Sequence, residues 1–177
     1  LRLFNSHSYN SIGVDRIISE TNVAKMTFYK YFPSKEKLIE ECLIQRNINL
    51  QTSLNATLEQ CDPTNYLEQI KAIFHWYTVW FESEDFNGSM FQKALIEVIK
   101  IYPSTLKPAT EYKTWLTNLT QNLLRNMDIQ NPNHLANLIV SILDGMTIQA
   151  HINRHTVQLE EYWKRVEHLI QFEKSMA

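Results

Sequence analysis

Val14-Asp15-Arg16-Ile17-Ile18-Ser19-Glu20-Thr21-Asn22-Val23-Ala24-Lys25-Met26-Thr27-Phe28-Tyr29-Lys30-Tyr31 reads as two short helices on either side of a sharp turn. Gly13 precedes the first. Val14, Ile17 and Ile18 sit at i, i+3 and i+4, one face of a helix. Asn22 tolerates the left-handed backbone that a tight inter-helix turn needs. Residues 24–31 read as the second helix, and Pro33 ends it. Helix, short turn, helix is the geometry of a DNA-reading helix-turn-helix. Many helical pairs with this spacing are purely structural, so the spacing alone leaves both readings open.

Charge adds a weak signal. The chain has 177 residues and a formal net charge of −2. Residues 1–47 carry seven basic and five acidic groups, and within 21–38 there are four Lys to one Glu. A modest basic patch on a mildly acidic protein permits nucleic-acid binding without proving it.

Outward from this stretch the chain divides at its breakers. Ser34 is an N-cap for a long helix, whose Leu38, Ile39, Cys42, Leu43, Leu50, Leu54, Leu58 and Cys61 keep helical spacing to about residue 61. Asp62-Pro63 is a stop and restart, with Pro63 suited to the first turn of a helix over 64–82. Phe74, Trp76, Tyr77, Trp80 and Phe81 lie on more than one face of it, which predicts burial. Further helices are expected over 88–101 and 104–127, with Pro108 tolerated near the start of the second. Asn131-Pro132 opens another over 133–153 with two apolar faces. One face holds Leu135, Leu138, Ile139, Ile142, Met146 and Ile152; the other holds Val140, Leu143 and Ala150. A helix burying two faces lies between its own core and a partner. Thr156 is expected to cap the last helix, with Leu159, Tyr162, Trp163, Val166, Leu169 and Ile170 as its stripe.

Only three glycines argue against a sheet-rich chain, which needs them in hairpins; an all-α fold is expected. Apolar runs are interrupted by charge, so no bilayer-spanning segment and no membrane partner is expected. Leu1-Arg2-Leu3-Phe4 lacks the features of a signal peptide. Cys42 and Cys61 make no disulfide framework, and a reducing, cytoplasmic setting is expected.

The letters sharpen the motif. Val14-x-x-Ile17…Asn22-Val23-Ala24-Lys25-Met26-Thr27, and above all the run Thr27-Phe28-Tyr29-Lys30-Tyr31-Phe32-Pro33-Ser34-Lys35-Glu36-Lys37-Leu38, resemble the DNA-binding domain of the tetracycline-repressor (TetR) family of bacterial transcription regulators. The resemblance covers residues 1–47, with a first helix shorter than the family usually has. It implies an N-terminal three-helix helix-turn-helix domain over 1–47. A larger helical ligand-binding and dimerisation domain follows over 48–177. Asn22 stands where the family usually has Gly, Ala24 where it has Ser or Asn, and Met26 often where it has Gly. Ala24 therefore lacks the usual N-cap of the recognition helix.

The resemblance and side-chain chemistry together imply DNA contacts by Lys25, Met26, Thr27, Tyr29, Tyr31 and Lys35. Lys25 can donate to guanine, Thr27 can bond a base edge or phosphate, and Met26 can touch a thymine methyl. Tyr29 and Tyr31 match family positions whose hydroxyls bond phosphates. Lys35, at the start of the long helix, can share a phosphate with backbone N–H groups. Phe28 and Phe32 are assigned to a small core with Phe4, Ile17 and Leu38, and Lys30 and Lys37 to solvent.

For the remainder the resemblance implies an isologous homodimer built on the last two helices, with Leu138, Ile142, Gly145, Tyr162, Val166 and Leu169 at the interface. An effector pocket is expected among Phe74, Tyr77, Phe91, Leu95, Tyr112, Trp115, Ile148 and His151, with Glu97 and His75 as possible polar anchors. With eight Phe, eight Tyr and four Trp, an apolar or aromatic effector fits better than a highly charged one.

His151-x-x-x-His155 has zinc-chelating spacing but no neighbouring Cys or carboxylate, and no metal or cofactor is expected. Cys42 is expected to be packed and inert. No phosphate loop, nucleophile elbow or paired-carboxylate motif is present, so no enzyme is expected. The favoured reading is a ligand-responsive dimeric repressor, released from a near-palindromic operator by its effector. The alternatives are a helical protein-interaction module with a structural helix-turn-helix, and a small helical enzyme.

Overall fold

The computed structural model describes residues 1–176, and every regular element among them is helical. In chain order these are α1 Arg2–Ser6, α2 Val14–Thr21, α3 Lys25–Tyr31, α4 Lys35–Leu58, α5 Tyr66–Glu82, α6 Met90–Glu97, α7 Leu106–Arg125, α8 Pro132–Asn153 and α9 Leu159–Ser175. Short 3-10 turns occupy Pro103–Thr105 and Arg154–Thr156. The all-α expectation holds.

The chain packs as two compact units. One comprises Leu1–Leu50 and Asn87–Tyr112; the other comprises Gln51–Phe86 and the chain from Lys113 on.

In the first unit, Phe4, Ile17, Phe28 and Leu38 are all buried, as assigned, while Phe32 is only half-buried. Ser34 caps α4: its Oγ accepts from Lys37 N at 3.1 Å. Helix α6 is shorter than the expected 88–101. Gly88 has φ 75°, a turn conformation suited to glycine, and Ser89 then caps the helix by accepting from Gln92 N at 3.3 Å. The far end stops at Glu97, where Val98 leaves the helical region at φ −126° and ψ −13°; Pro103 then holds Tyr102 extended, at φ −125° and ψ 77°. Phe91 and Tyr112 stack with ring centroids 5.3 Å apart.

In the second unit, α5 starts at Tyr66, not 64. Asp62 first forms a turn, its Oδ1 accepting from Thr64 N at 2.8 Å and Thr64 Oγ1 at 2.7 Å. These bonds hold the Asp62 carboxyl below its usual range. Pro63 thus lies in the turn ahead of the helix. Asn65 supplies the cap, accepting from Glu68 N at 3.1 Å. The aromatic run of α5 is buried on most of its circumference. Phe74 meets Trp163 of α9 edge-on at 5.8 Å, and Trp80 and Phe81 both reach Phe86 at 5.1 Å.

Two expectations about the last helices are corrected. Val140, Leu143 and Ala150 lie with Leu135, Ile139 and Met146 on one buried side of α8, not on a second face. The second apolar face is Leu138, Ile142, Ile148 and Ile152, with Gly145 at its centre; only Ile142 among them is half-buried. Thr156 does not cap α9. Its Oγ1 bonds back to Asn153 O at 2.8 Å, and Gln158 stands at the cap without a side-chain bond. Contrary to expectation, Pro132–Thr156 is long and apolar enough to cross a membrane by length and composition. Its buried side shows it serving here as a core helix.

Two stability changes follow. Phe74→Ala empties a fully buried aromatic site against Trp163 and is expected to cost about 3–5 kcal/mol in urea unfolding. Ala24→Ser supplies the missing N-cap of α3 and is expected to stabilise by about 1 kcal/mol in the same measurement.

Candidate nucleic-acid interface

The expected turn is present. Asn22 has φ 53° and ψ 26°, the left-handed conformation that Asn accepts at low cost. It ends α2 and sets α3 off at an angle. Ala24 then occupies the N-cap of α3 with no side-chain bond.

Helix α3 buries one side chain, Phe28. Its ring lies 5.6 Å from Phe32 and meets Tyr29 edge-on at 5.4 Å. Every other residue of α3 is exposed. Met26 is 88% exposed, Tyr31 67% and Tyr29 41%, so on this ridge every expected contact residue of α3, Lys25 and Thr27 included, is open to solvent, with Thr27 and Tyr31 also edging the recess that Phe28 lines. Packing does not explain three large apolar or aromatic side chains left in water on one short helix.

Lys25 is not free on this ridge. Its Nζ donates to Asp15 Oδ1 at 3.1 Å, and that bond raises the pKa of the ammonium. Asp15 lies in the first turn of α2, where a carboxylate also suits the helix dipole. The sequence reading missed this pair, because its members sit on different helices. Lys35 is the first residue of α4 and half-buried, and burial lowers its pKa. It stands beside the α4 N-terminus, where N–H groups point outward. Lys37 instead pairs with Glu40 and Glu41 at 3.1 and 2.9 Å, while Lys30 is exposed.

The residues expected to line an effector pocket divide between the units. Phe91, Leu95 and Tyr112 belong to the first, with Phe91 and Tyr112 buried and Leu95 half-buried. Phe74, Tyr77, Trp115, Ile148 and His151 belong to the second. Phe74 and Tyr77 are buried and Trp115 is half-buried. Ile148, 53% exposed, lies on the outer face of α8, so its expected interior position is corrected. His151 is exposed and lies 6.5 Å from the Phe86 ring, at the edge of a shallow cleft with Asn153, Arg154 and His155. His75 is exposed. Glu97 is no pocket anchor: its Oε2 accepts from Ser8 Oγ at 2.8 Å and from Tyr9 N at 2.7 Å.

Of the expected interface residues, Leu138 and Gly145 are exposed, and Ile142, Tyr162 and Leu169 are half-buried. Val166 is 2% exposed and belongs to the chain's own core, a correction to its expected place at the surface. The Tyr162 hydroxyl donates to Gln149 Oε1, which ties α9 to α8, and Phe172 of α9 is exposed.

Residues 1–42 match the family of bacterial regulatory proteins, tetR family. No curated protein matches the chain significantly. Among solved structures, the TetR-family transcriptional regulator SCO4454 from Streptomyces coelicolor superposes with a TM-score of 0.83 at 21% identity, covering 98% of this chain and 90% of that one. The reduced form of NemR from E. coli superposes with a TM-score of 0.77, also at 21% identity, covering 90% of this chain and 86% of that one. At that identity the superpositions speak to fold. Residues 1–42, with the left-handed turn at Asn22 and the open α3, are thus similar to the DNA-binding segment of the tetR family of bacterial regulatory proteins.

Proposed function

We propose that the protein is a homodimeric transcriptional repressor that a small, mainly apolar or aromatic effector releases from a near-palindromic operator. The observation that carries this reading is the α3 ridge: Lys25, Met26, Thr27, Tyr29 and Tyr31 stand open around a single buried Phe28. The N-terminal part of a recognition helix enters the major groove. There Lys25 and Thr27 address base edges and Met26 offers apolar contact to a thymine methyl. Tyr29 and Tyr31 direct hydroxyls at phosphates, and Lys35 adds an ammonium next to the α4 N–H groups. Binding requires Lys25 to leave Asp15. That exchange costs little, because the pair is solvent-exposed.

Dimerisation supplies the second recognition helix. The supporting feature is the outer apolar face of α8, where Leu138 is 47% exposed and Gly145 meets nothing that a Cβ would touch. A mid-helix glycine costs about 1 kcal/mol relative to Ala, and close approach by a partner helix offsets that cost. Phe172 and the half-buried Tyr162 and Leu169 extend the patch along α9. Two-fold symmetry would then set the recognition helices about one DNA turn apart. The aromatic wealth of α5 supports an apolar effector. Release follows if that effector binds the DNA-competent and incompetent arrangements unequally, tilting α4 in doing so. A cytoplasmic setting suits such a protein.

Binding to duplexes selected from a random pool is expected to weaken by about 10³-fold or more between roughly 50 and 200 mM salt. Lys35→Ala should reduce the log–log salt slope by about one per protomer, and Tyr29→Phe should weaken binding roughly tenfold without changing the melting temperature. Salt-independent binding, or none, would sink the DNA reading and favour an interaction module.

Leu138→Glu places like charges against each other across a two-fold axis. Sedimentation should show a monomer with unchanged helicity, and selected-duplex affinity should fall about 100-fold or more. A Leu138→Glu dimer that binds normally would remove α8 from the interface.

A further inference from the structure

Helix α6 grips the beginning of the chain through two side chains one turn apart. Lys93 Nζ donates to Phe4 O at 2.6 Å, Asn5 O at 3.0 Å and His7 O at 2.9 Å. Carbonyls at the end of α1 lack intrahelical partners, and an ammonium there also meets the negative end of the helix dipole. Glu97 Oε2 takes the Ser8 hydroxyl and the Tyr9 N–H, and Glu97 O accepts from Asn10 Nδ2 at 3.2 Å. Tyr9 is fully buried between these groups. Its hydroxyl donates to Met90 O at 3.0 Å, and its ring lies 5.1 Å from Phe4.

This grip bears on α3. The carbonyls at the end of α1 and just past it find their partner in the Lys93 ammonium, so this side chain holds the exit of the helix. Phe4 of α1 lines the same apolar recess as Ile17, Phe28 and Leu38, directly behind the recognition helix. The position of α1 therefore sets the seat of Phe28. A second hold lies at the other end of the segment, where Ser104 N donates to Glu36 Oε1 at 3.1 Å, next to Lys35. Residues 87–112 accordingly fall in the same compact unit as the helix-turn-helix.

We propose that Lys93 and Glu97 are positioning residues for DNA recognition: by clamping the end of α1 they fix the angle at which α3 presents Tyr29 and Tyr31. The segment carrying α6 is then part of the DNA-reading device. A movement of α6 passes to α3 through this clamp. The inference rests on the reading of α3 as the DNA-contacting helix.

The test uses the full chain with Lys93→Met, Glu97→Gln and Lys93→Arg. The probes are duplexes that the wild type selects from a random pool and a mixed-sequence duplex. Lys93→Met and Glu97→Gln should still unfold cooperatively. They should bind the selected duplex about tenfold more weakly, while mixed-sequence affinity moves less than about twofold. Lys93→Arg, which keeps the charge and the donors, should recover most of the loss. In the free protein, hydrogen exchange at amides 26–31 should quicken in Lys93→Met while α8 stays unchanged. Unchanged exchange in α3, or equal losses on both duplexes with faster exchange in every helix, would overturn the proposal. If the wild type selects no duplex, the DNA reading fails separately. The exchange arm then decides the clamp by itself: quickened α3 amides support it, and unchanged ones overturn it.

Discussion

A seven-residue helix that buries one side chain cannot hold itself in place. Nucleation is too costly and the hydrogen bonds too few for α3 to survive in isolation. It has no side-chain N-cap to help. What keeps it is the anchoring of Phe28, beside Phe32 in the recess it lines with Ile17 and Leu38, behind a left-handed turn that leaves the rest of the helix outside. The exposure of Tyr29, Tyr31 and Met26 is the other side of the same arrangement. A helix held by one residue offers nearly its whole surface to a ligand as extended as a DNA groove. Small errors in how Phe28 is seated therefore become large errors in where the tyrosine hydroxyls point.

That sensitivity explains why polar groups so far along the chain bear on the start of it. Apolar packing is non-directional, whereas an ammonium shared by three carbonyls permits little rotation. The first compact unit combines both, with an apolar recess behind α3 and a directional clamp at the end of α1. Burial lowers the pKa of Lys93, with the Glu97 charge opposing that shift.

Much of the helical order was legible from breakers and caps. Asn22, Ser34 and the proline at 132 act locally, through backbone sterics and the bonds of the first turn, so their effect needs no tertiary context. Other features misled. Residues 98–101 continue the apolar spacing of α6, yet Val98 leaves the helical region and the helix stops at Glu97. In α8 the apolar residues cover so much of the circumference that periodicity could not divide them. Val140 and Leu143 went to the wrong face, and Ile148 was placed inside when it lies outside. Glu97 and Val166 were misplaced for a related reason: spacing along one helix does not say what lies opposite it.

By itself the sequence determined the helical class, the turn between α2 and α3, and the motif that runs through α3 into α4. Each follows from conformational limits of single residues or from a contiguous motif. Tertiary structure alone decided that Lys25 rests on Asp15, that Lys93 and Glu97 close the end of α1, and which side of α8 stays open. Those contacts join groups on separate helices, some more than eighty positions apart. Chain order carries no record of such distances until the packing of the apolar faces brings the groups together.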